Sequence, residues 1–295
     1  FTIAAMPVPI GEASRFGILI TDDSNKITEF EEKPANPRSN LASMGIYIFS
    51  WKALKEALIK LKDVPGCDFG KHVIPYCFEQ NERIFAYEYN GYWKDVGTLS
   101  SYWEANMELI DIIPEFNLYE EYWKIYTKSD ITPPQYIAAD AKVERSIIGE
   151  GTEVYGQVIN SVIGAGVSDG CEIYGTVCRS IIGPGVVVEK GAVVKDSIVM
   201  KGSVVGKGTV VEKAIVAENV TIGENAHLGV GEYAPSKYDP KVYQSDLVTI
   251  GENSVIPDGV KIGKNTAIAG ETVAEDYQDG LLASGDYIIK AGGVR

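Results

Sequence analysis

The chain has 295 residues, 45% of them apolar, and a formal net charge of −14, which suits one large domain or two ordinary ones with real cores. The acidic balance argues against a nucleic-acid partner, whose phosphates it would repel, but not against a nucleotide or sugar phosphate held by a local Lys or a bound Mg²⁺. Cys67, Cys77, Cys171 and Cys178 form no CxxC pair and have no His cluster beside them, against a disulfide framework or zinc site, and the absence of a long apolar run or signal-peptide pattern gives the expectation of a cytoplasmic protein with no membrane partner.

The chain opens on Phe1 inside "FTIAAMPVPI", a strand already under way, so a fragment of something longer is expected. "GILITDD" is a second β-rich run, and "DDSNKI" supplies a hairpin turn through Asp and Asn. Ahead of it, Gly17 in "SRFGIL" could let backbone approach a ligand, or could be structural. Next comes "ITEFEEKPANPRSNLASMGIYIF", in which Lys33 stands between two acids and a Pro. Pro34 disfavours helix at the residue before it, so Lys33 is expected to be presented from an extended segment. A Lys so placed can grip a phosphate as a point charge, with Glu32 accepting from sugar hydroxyls and Ser43 and Gly45 at the strand entry. A solvated acidic turn with one compensating Lys is the other reading.

"SMGIYIFS" reads as a buried strand, and Ser50 then caps "WKALKEALIKLK", whose Leu54, Leu58 and Leu61 fall on one helical face. Asp68 in "CDFGKHVIP" reads as a helix N-cap, with His72 packed inside that helix. "RIFAYEY" is another strand. In "GYWKDVGTLSSYWEAN", Asp95 sits where a strand ends and a helix begins, the place where α/β folds collect ligands. A carboxylate there suits a Mg²⁺ ligand better than acid–base work. Thr98 or Ser100 caps the helix that follows. The first half holds neither GxGxxG nor GxxxxGK[ST].

From about Thr132 the pattern changes. "ITPPQY" is a linker signal, after which Ile250, Ile256, Ile262 and Ile268 recur six apart in "TIGENSVIPDGVKIGKNTAIAG". Looser copies start at Ser146, Ser161 and Ser180. A six-residue period predicts a parallel β-helix, three hexads to a triangular coil, with Gly or Asn taking the positive φ of each turn. The segment 229–248 breaks the period and reads as a loop protruding from one corner, and His227 falls in a turn.

The order of "PVPIGEASRFGI", the Lys33 stretch, "DFGKHVIP" and "GYWKDVGTLSSYWEAN", followed by hexads, resembles bacterial glucose-1-phosphate adenylyltransferase (ADP-glucose pyrophosphorylase) over essentially the whole chain. The resemblance implies an α/β segment, part of a Rossmann-like nucleotidyltransferase domain, followed by a left-handed parallel β-helix. It divides the chain into a sugar-phosphate-binding part at 1–128, a linker at 129–136 and a β-helix at 137–295. The implied reaction is ATP plus glucose 1-phosphate giving ADP-glucose and diphosphate, with Mg²⁺, in glycogen biosynthesis. By the same resemblance, Gly17, Glu32, Lys33 and Ser43 match positions that hold glucose 1-phosphate, with Lys33 on the phosphate. Asp68 matches a position near the sugar pocket, and Asp95 a metal-binding carboxylate. The family also implies a homotetramer, or a heterotetramer with a paralogous subunit, under metabolite control. Its Gly-rich nucleotide loop and second metal-binding Asp are not found here, so these residues alone are expected not to turn over. The alternatives are a non-catalytic regulatory subunit and a hexapeptide acyltransferase using His227 as base.

Overall fold

The computed structural model describes residues 1–118, 120–124, 126, 131–164, 170–243, 245–277 and 280–290; part of the expected linker and of the repeat opening at Ser161 lie outside them. The chain forms two compact units, Phe1–Asp95 and Val96–Arg295.

The first unit is built on five strands, β1 (Thr2–Pro7), β2 (Gly17–Thr21), β3 (Ile27–Glu32), β4 (Leu41–Ile48) and β5 (Phe85–Glu88). Their order is β3-β2-β4-β1-β5, antiparallel except for the parallel β1–β5 pair. The Asp22 turn closes β2 onto β3: its carboxylate accepts from the Ser24 and Lys26 N–H groups at 2.9 and 3.0 Å, and Asn25 takes a positive φ of 61°. Ile3, Ala5, Leu19 and Ile27 bury one face of the sheet against Ala57, Val73 and Ile74. Each buried Ile, Leu or Val among them contributes about 1.5–3 kcal/mol of burial.

Helix α1 (Trp51–Leu61) is capped by Ser50, whose Oγ accepts from the Ala53 N–H. Its buried stripe runs through Ala57 with Leu54 and Leu61; Leu58, expected on that stripe, is 39% exposed because it lies a further 100° round the helix. β4 is not buried throughout. Tyr47 packs with the core, but Ile46 and Ile48 point to the opposite face and are 52% and 72% exposed, as the two-residue period of a strand dictates. Asp68 caps a π turn (Phe69–Val73) that runs into α2 (Ile74–Glu79), accepting from the Lys71 N–H at 2.9 Å.

The second unit is a parallel β-solenoid with sheets of eight, eight and seven short strands. Val154, Val158, Ile163, Ile173 and their successors stack inside it without exposure to solvent. The coil is shorter than three hexads over much of its length: Val193 pairs with Val210 and Val210 with His227, partners seventeen residues apart. Only near the end, where Ile250 pairs with Ile268, do three full hexads make a turn. The difference arises at one tight corner, where Arg145, Asn160, Arg179, Asp196 and Lys213 each take φ between 42° and 49°. Beside it runs a serine ladder. The Oγ atoms of Ser146, Ser161, Ser180 and Ser197 accept from the N–H groups of Ser161, Ser180, Ser197 and Ala214 at 3.0–3.1 Å. The ladder carries the stacking through the slips in sequence spacing at Ser161 and Ser180.

The division between units falls ahead of the boundary expected at residue 128, because α3 (Leu99–Met107) packs on the solenoid. Trp103 and Met107 cover the outward-facing Ile181, Ile198 and Ile215, and Trp103 Nε1 donates to the Arg179 carbonyl at 3.1 Å. Thr98 is the cap of α3, in a reciprocal box with Ser101. The segment 229–248 leaves the solenoid but does not protrude free. The Lys237 N–H donates to the Gly285 carbonyl at 2.8 Å, Lys237 pairs with Asp286, and Asn265 Nδ2 donates to the Ala234 carbonyl at 2.8 Å. His227 begins a strand (His227–Val230) and does not lie in a turn. Among the described residues no helix is long and apolar enough to cross a membrane.

Candidate active site

The carboxylate of Glu32 is the centre of a cluster in the first unit. Glu32 ends β3 opposite Gly17 at the start of β2. A Cβ on Gly17 would come within 3.0 Å of Glu32 Oε2 and 2.6 Å of the Phe30 ring, and a Cβ on Gly70 would overlap the same Oε2 outright. Two glycines from distant parts of the chain therefore make the space that this carboxylate occupies. Gly17 is thus structural and site-forming at once.

Asp68 reaches the same place from the other side, its Oδ1 being 3.4 Å from the Cβ position of Gly70. Ser43 on β4 is 8% exposed, and its Oγ accepts from the Gly45 N–H at 3.3 Å. Burial pushes the Tyr47 phenol up, the nearby Ser43 hydroxyl opposes the rise, and the charges of Glu32 and Asp68 add to it. The Tyr47 ring stacks on Phe69 at 5.5 Å, nearly parallel. Of the four residues singled out in the sequence, Gly17, Glu32 and Asp68 are gathered by the spaces at Gly17 and Gly70, and Ser43, Glu32 and Asp68 all act on the Tyr47 phenol. Sequence reasoning missed Tyr47, which looked like an ordinary strand residue. It also missed Gly70, although a Gly opening a helix was a signal.

Lys33 does not follow its expected backbone. It takes φ of 48°, a left-handed kink and not an extended residue; Pro34 excludes the right-handed helical region and leaves this one open. Its N–H donates to the Phe16 carbonyl at 3.0 Å. The kink turns the side chain outward, 62% exposed, with Nζ 4.0 Å from Glu32 Oε1. The loop beyond is tied down by Arg38, which bonds Glu29 and Glu31 on β3, just ahead of Lys33.

Asp95 lies beyond Trp93, whose ring meets Phe16 edge-on at 5.9 Å. Asp95 Oδ2 accepts from Arg15 Nη2 at 3.0 Å, and both side chains are about one-third exposed. Arg15 was not anticipated. Phe16 thus sits between the backbone that carries Lys33 and the irregular segment that carries Trp93 and Asp95. His72 is engaged structurally, its Nδ1 accepting from the Asp68 N–H at 3.1 Å. No group of three or more His, Cys, Asp or Glu side chains suited to a metal occurs among the described residues. A cavity of about 290 Å³ in the second unit, lined by Trp103, Ile198, Ile215 and Leu247, contains none of the residues expected to do chemistry.

Residues 1–112 match the nucleotidyl transferase family, and residues 151–244 match the GlmU-like C-terminal hexapeptide family. Over 291 residues, 99% of this chain, the sequence is 73% identical to a protein of Lachnospira eligens named glucose-1-phosphate adenylyltransferase. The chain is a homologue of the glucose-1-phosphate adenylyltransferases. Proteins of that name from Thermotoga maritima and Acetivibrio thermocellus are 54% and 44% identical over 98% and 99% of the chain. In each case the chain spans 64% of the relative's length. The nucleotidyl transferase match contains every residue of the Glu32 cluster together with Lys33, Arg15 and Asp95, and the hexapeptide match falls on the solenoid.

Proposed function

We propose that the Glu32 cluster is the glucose 1-phosphate site of an adenylyltransferase that forms ADP-glucose and diphosphate from glucose 1-phosphate and ATP. The observation that carries this reading is the carboxylate of Glu32, held between Gly17 and Gly70 beside Asp68, Ser43 and Tyr47. Carboxylates and hydroxyls gathered in one place are acceptors and donors matched to a sugar's hydroxyls. Lys33, exposed beside Glu32, supplies the positive charge that a sugar phosphate needs. In the reaction a phosphate oxygen of glucose 1-phosphate attacks the α-phosphorus of ATP, and diphosphate leaves with the bonding pair. The chain's residues orient the nucleophile and balance its charge, which is the main protein contribution to phosphoryl-type transfers.

Asp95 is the residue we assign to Mg²⁺. One partly exposed carboxylate fits an ion that keeps several waters and takes its remaining oxygens from substrate phosphates. When bound, the ion would neutralise charge on the phosphates. The finer parts of the proposal are assembly as a homotetramer or a heterotetramer, a cytoplasmic setting for four free thiols, and a role in glycogen synthesis.

Steady-state kinetics test the assignment. Lys33→Ala removes a charge-assisted contact of about 1.5–3 kcal/mol, so the KM for glucose 1-phosphate rises roughly 10- to 150-fold with a smaller change in KM for ATP. An unchanged KM for the sugar phosphate would overturn the site. Loss of activity on changing His227, with Lys33 dispensable, would favour an acyltransferase instead.

A further inference from the structure

The pairing of Arg15 with Asp95 has a consequence for metal capture, and it rests on the reading of Asp95 as the metal carboxylate. A guanidinium never gives up its proton, so Arg15 is a permanent cation on the group assigned to a divalent ion. The two side chains are 38% and 34% exposed, and an ion pair so open to water is weak and exchangeable. Arg15 has other contacts to fall back on. Its Nη1 is 3.8 Å from Glu12 Oε2, and its guanidinium carbon lies 5.5 Å from the Phe16 ring centroid. Phe16 in turn is braced against Trp93. Arg15 also stands two residues ahead of Gly17, whose missing side chain makes room for Glu32.

We propose that Arg15 is a positioning residue: a resident counter-cation that holds the Asp95 carboxylate while no metal is bound and yields it to the divalent ion when phosphate arrives. A released guanidinium is suited to a phosphate, whose oxygens it can grip in fork geometry. Metal binding is thereby made weak without substrate and strong with it. The charge at Asp95 is balanced in both states, by Arg15 in one and by the metal in the other.

Binding of Mn²⁺, followed by the loss of the free-ion electron paramagnetic resonance signal, tests this without an activity assay. The titrations use the wild type, Arg15→Gln, Arg15→Lys and Asp95→Asn, each with and without glucose 1-phosphate, after circular dichroism has confirmed folding. Without substrate, Arg15→Gln should bind Mn²⁺ roughly two- to fivefold more tightly than the wild type, the scale of an exposed ion pair. Arg15→Lys, which keeps the cation, should stay near the wild type. Glucose 1-phosphate should tighten Mn²⁺ binding in the wild type and less in Arg15→Gln. Unchanged or weaker Mn²⁺ binding in Arg15→Gln, with binding lost in Asp95→Asn, overturns the proposal while leaving the metal assignment standing. Mn²⁺ binding that survives Asp95→Asn overturns both.

Discussion

Gly70 shows how one missing side chain can define a site. It is the second residue of the π turn after Asp68, and the space its Cβ would take is filled by a carboxylate oxygen of Glu32. Gly70→Ala must therefore push Glu32 or the turn aside. Because an ångström of misplacement at a binding group can cost up to about 100-fold, we expect the KM for glucose 1-phosphate to rise roughly 10- to 100-fold. Thermal melting should show the first unit still folded, since the turn's capping bond to Asp68 does not involve the added methyl. A variant with wild-type kinetics would mean that Glu32 tolerates displacement and does not touch the sugar. At the same scale, Lys33 illustrates a limit of sequence reading. Lys before Pro announces that helix is disfavoured, but choosing between an extended and a left-handed residue falls to the Phe16 carbonyl that accepts its N–H.

Among the elements, the solenoid was the most legible. A six-residue recurrence of aliphatic side chains demands one inward residue per short strand, and the three stacked sheets follow from that. The length of the coil was not legible. The tight corner takes Arg145, Arg179 and Lys213 as readily as the turn formers Asn160 and Asp196 in left-handed conformation, so no consistent residue type announces the lost residue. The serines that appeared as the first residue of each loose repeat have a physical role there. Ser180 is fully buried, donates to the Cys178 carbonyl at 2.8 Å and accepts from the Ser197 N–H at 3.1 Å. Ser180→Ala leaves both backbone groups without that partner inside the coil, a loss of about 1–3 kcal/mol. Chemical denaturation monitored by the β-signal of the solenoid should read it as an earlier transition. No change in midpoint would mean that the ladder contributes nothing beyond packing. In the first unit, by contrast, helix α1 was recognised from its period, yet its buried stripe was misplaced by one residue. Leucines at both ends of the stripe drew the reading toward Leu58 and away from the smaller Ala57.

At the level of the whole molecule, two kinds of architecture share one chain, and the proposed chemistry belongs to the first. The motifs that carried the resemblance, "EEKP", "ASMG", "DFGK" and "YWKDVG", are scattered over more than sixty residues of sequence. Pairing of β2 with β3 and of β4 with β1, with the Asp68 turn laid against them, gathers Gly17, Glu32, Ser43 and Asp68. Tyr47 and Gly70 are brought in by the same pairings and turn, and single-sequence patterns carry no information about such long-range neighbours. Because the acceptors and the Lys33 charge lie within one unit of the 295-residue chain, they are expected to recognise the sugar phosphate without nucleotide. The most direct measurement is a titration of this chain with glucose 1-phosphate followed by ligand-observed nuclear magnetic resonance, alongside Glu32→Gln and Lys33→Ala. The account predicts saturable binding in the wild type that weakens in both variants, with glucose itself competing poorly because it lacks the phosphate that Lys33 holds. Equal binding by the wild type and both variants would contradict it.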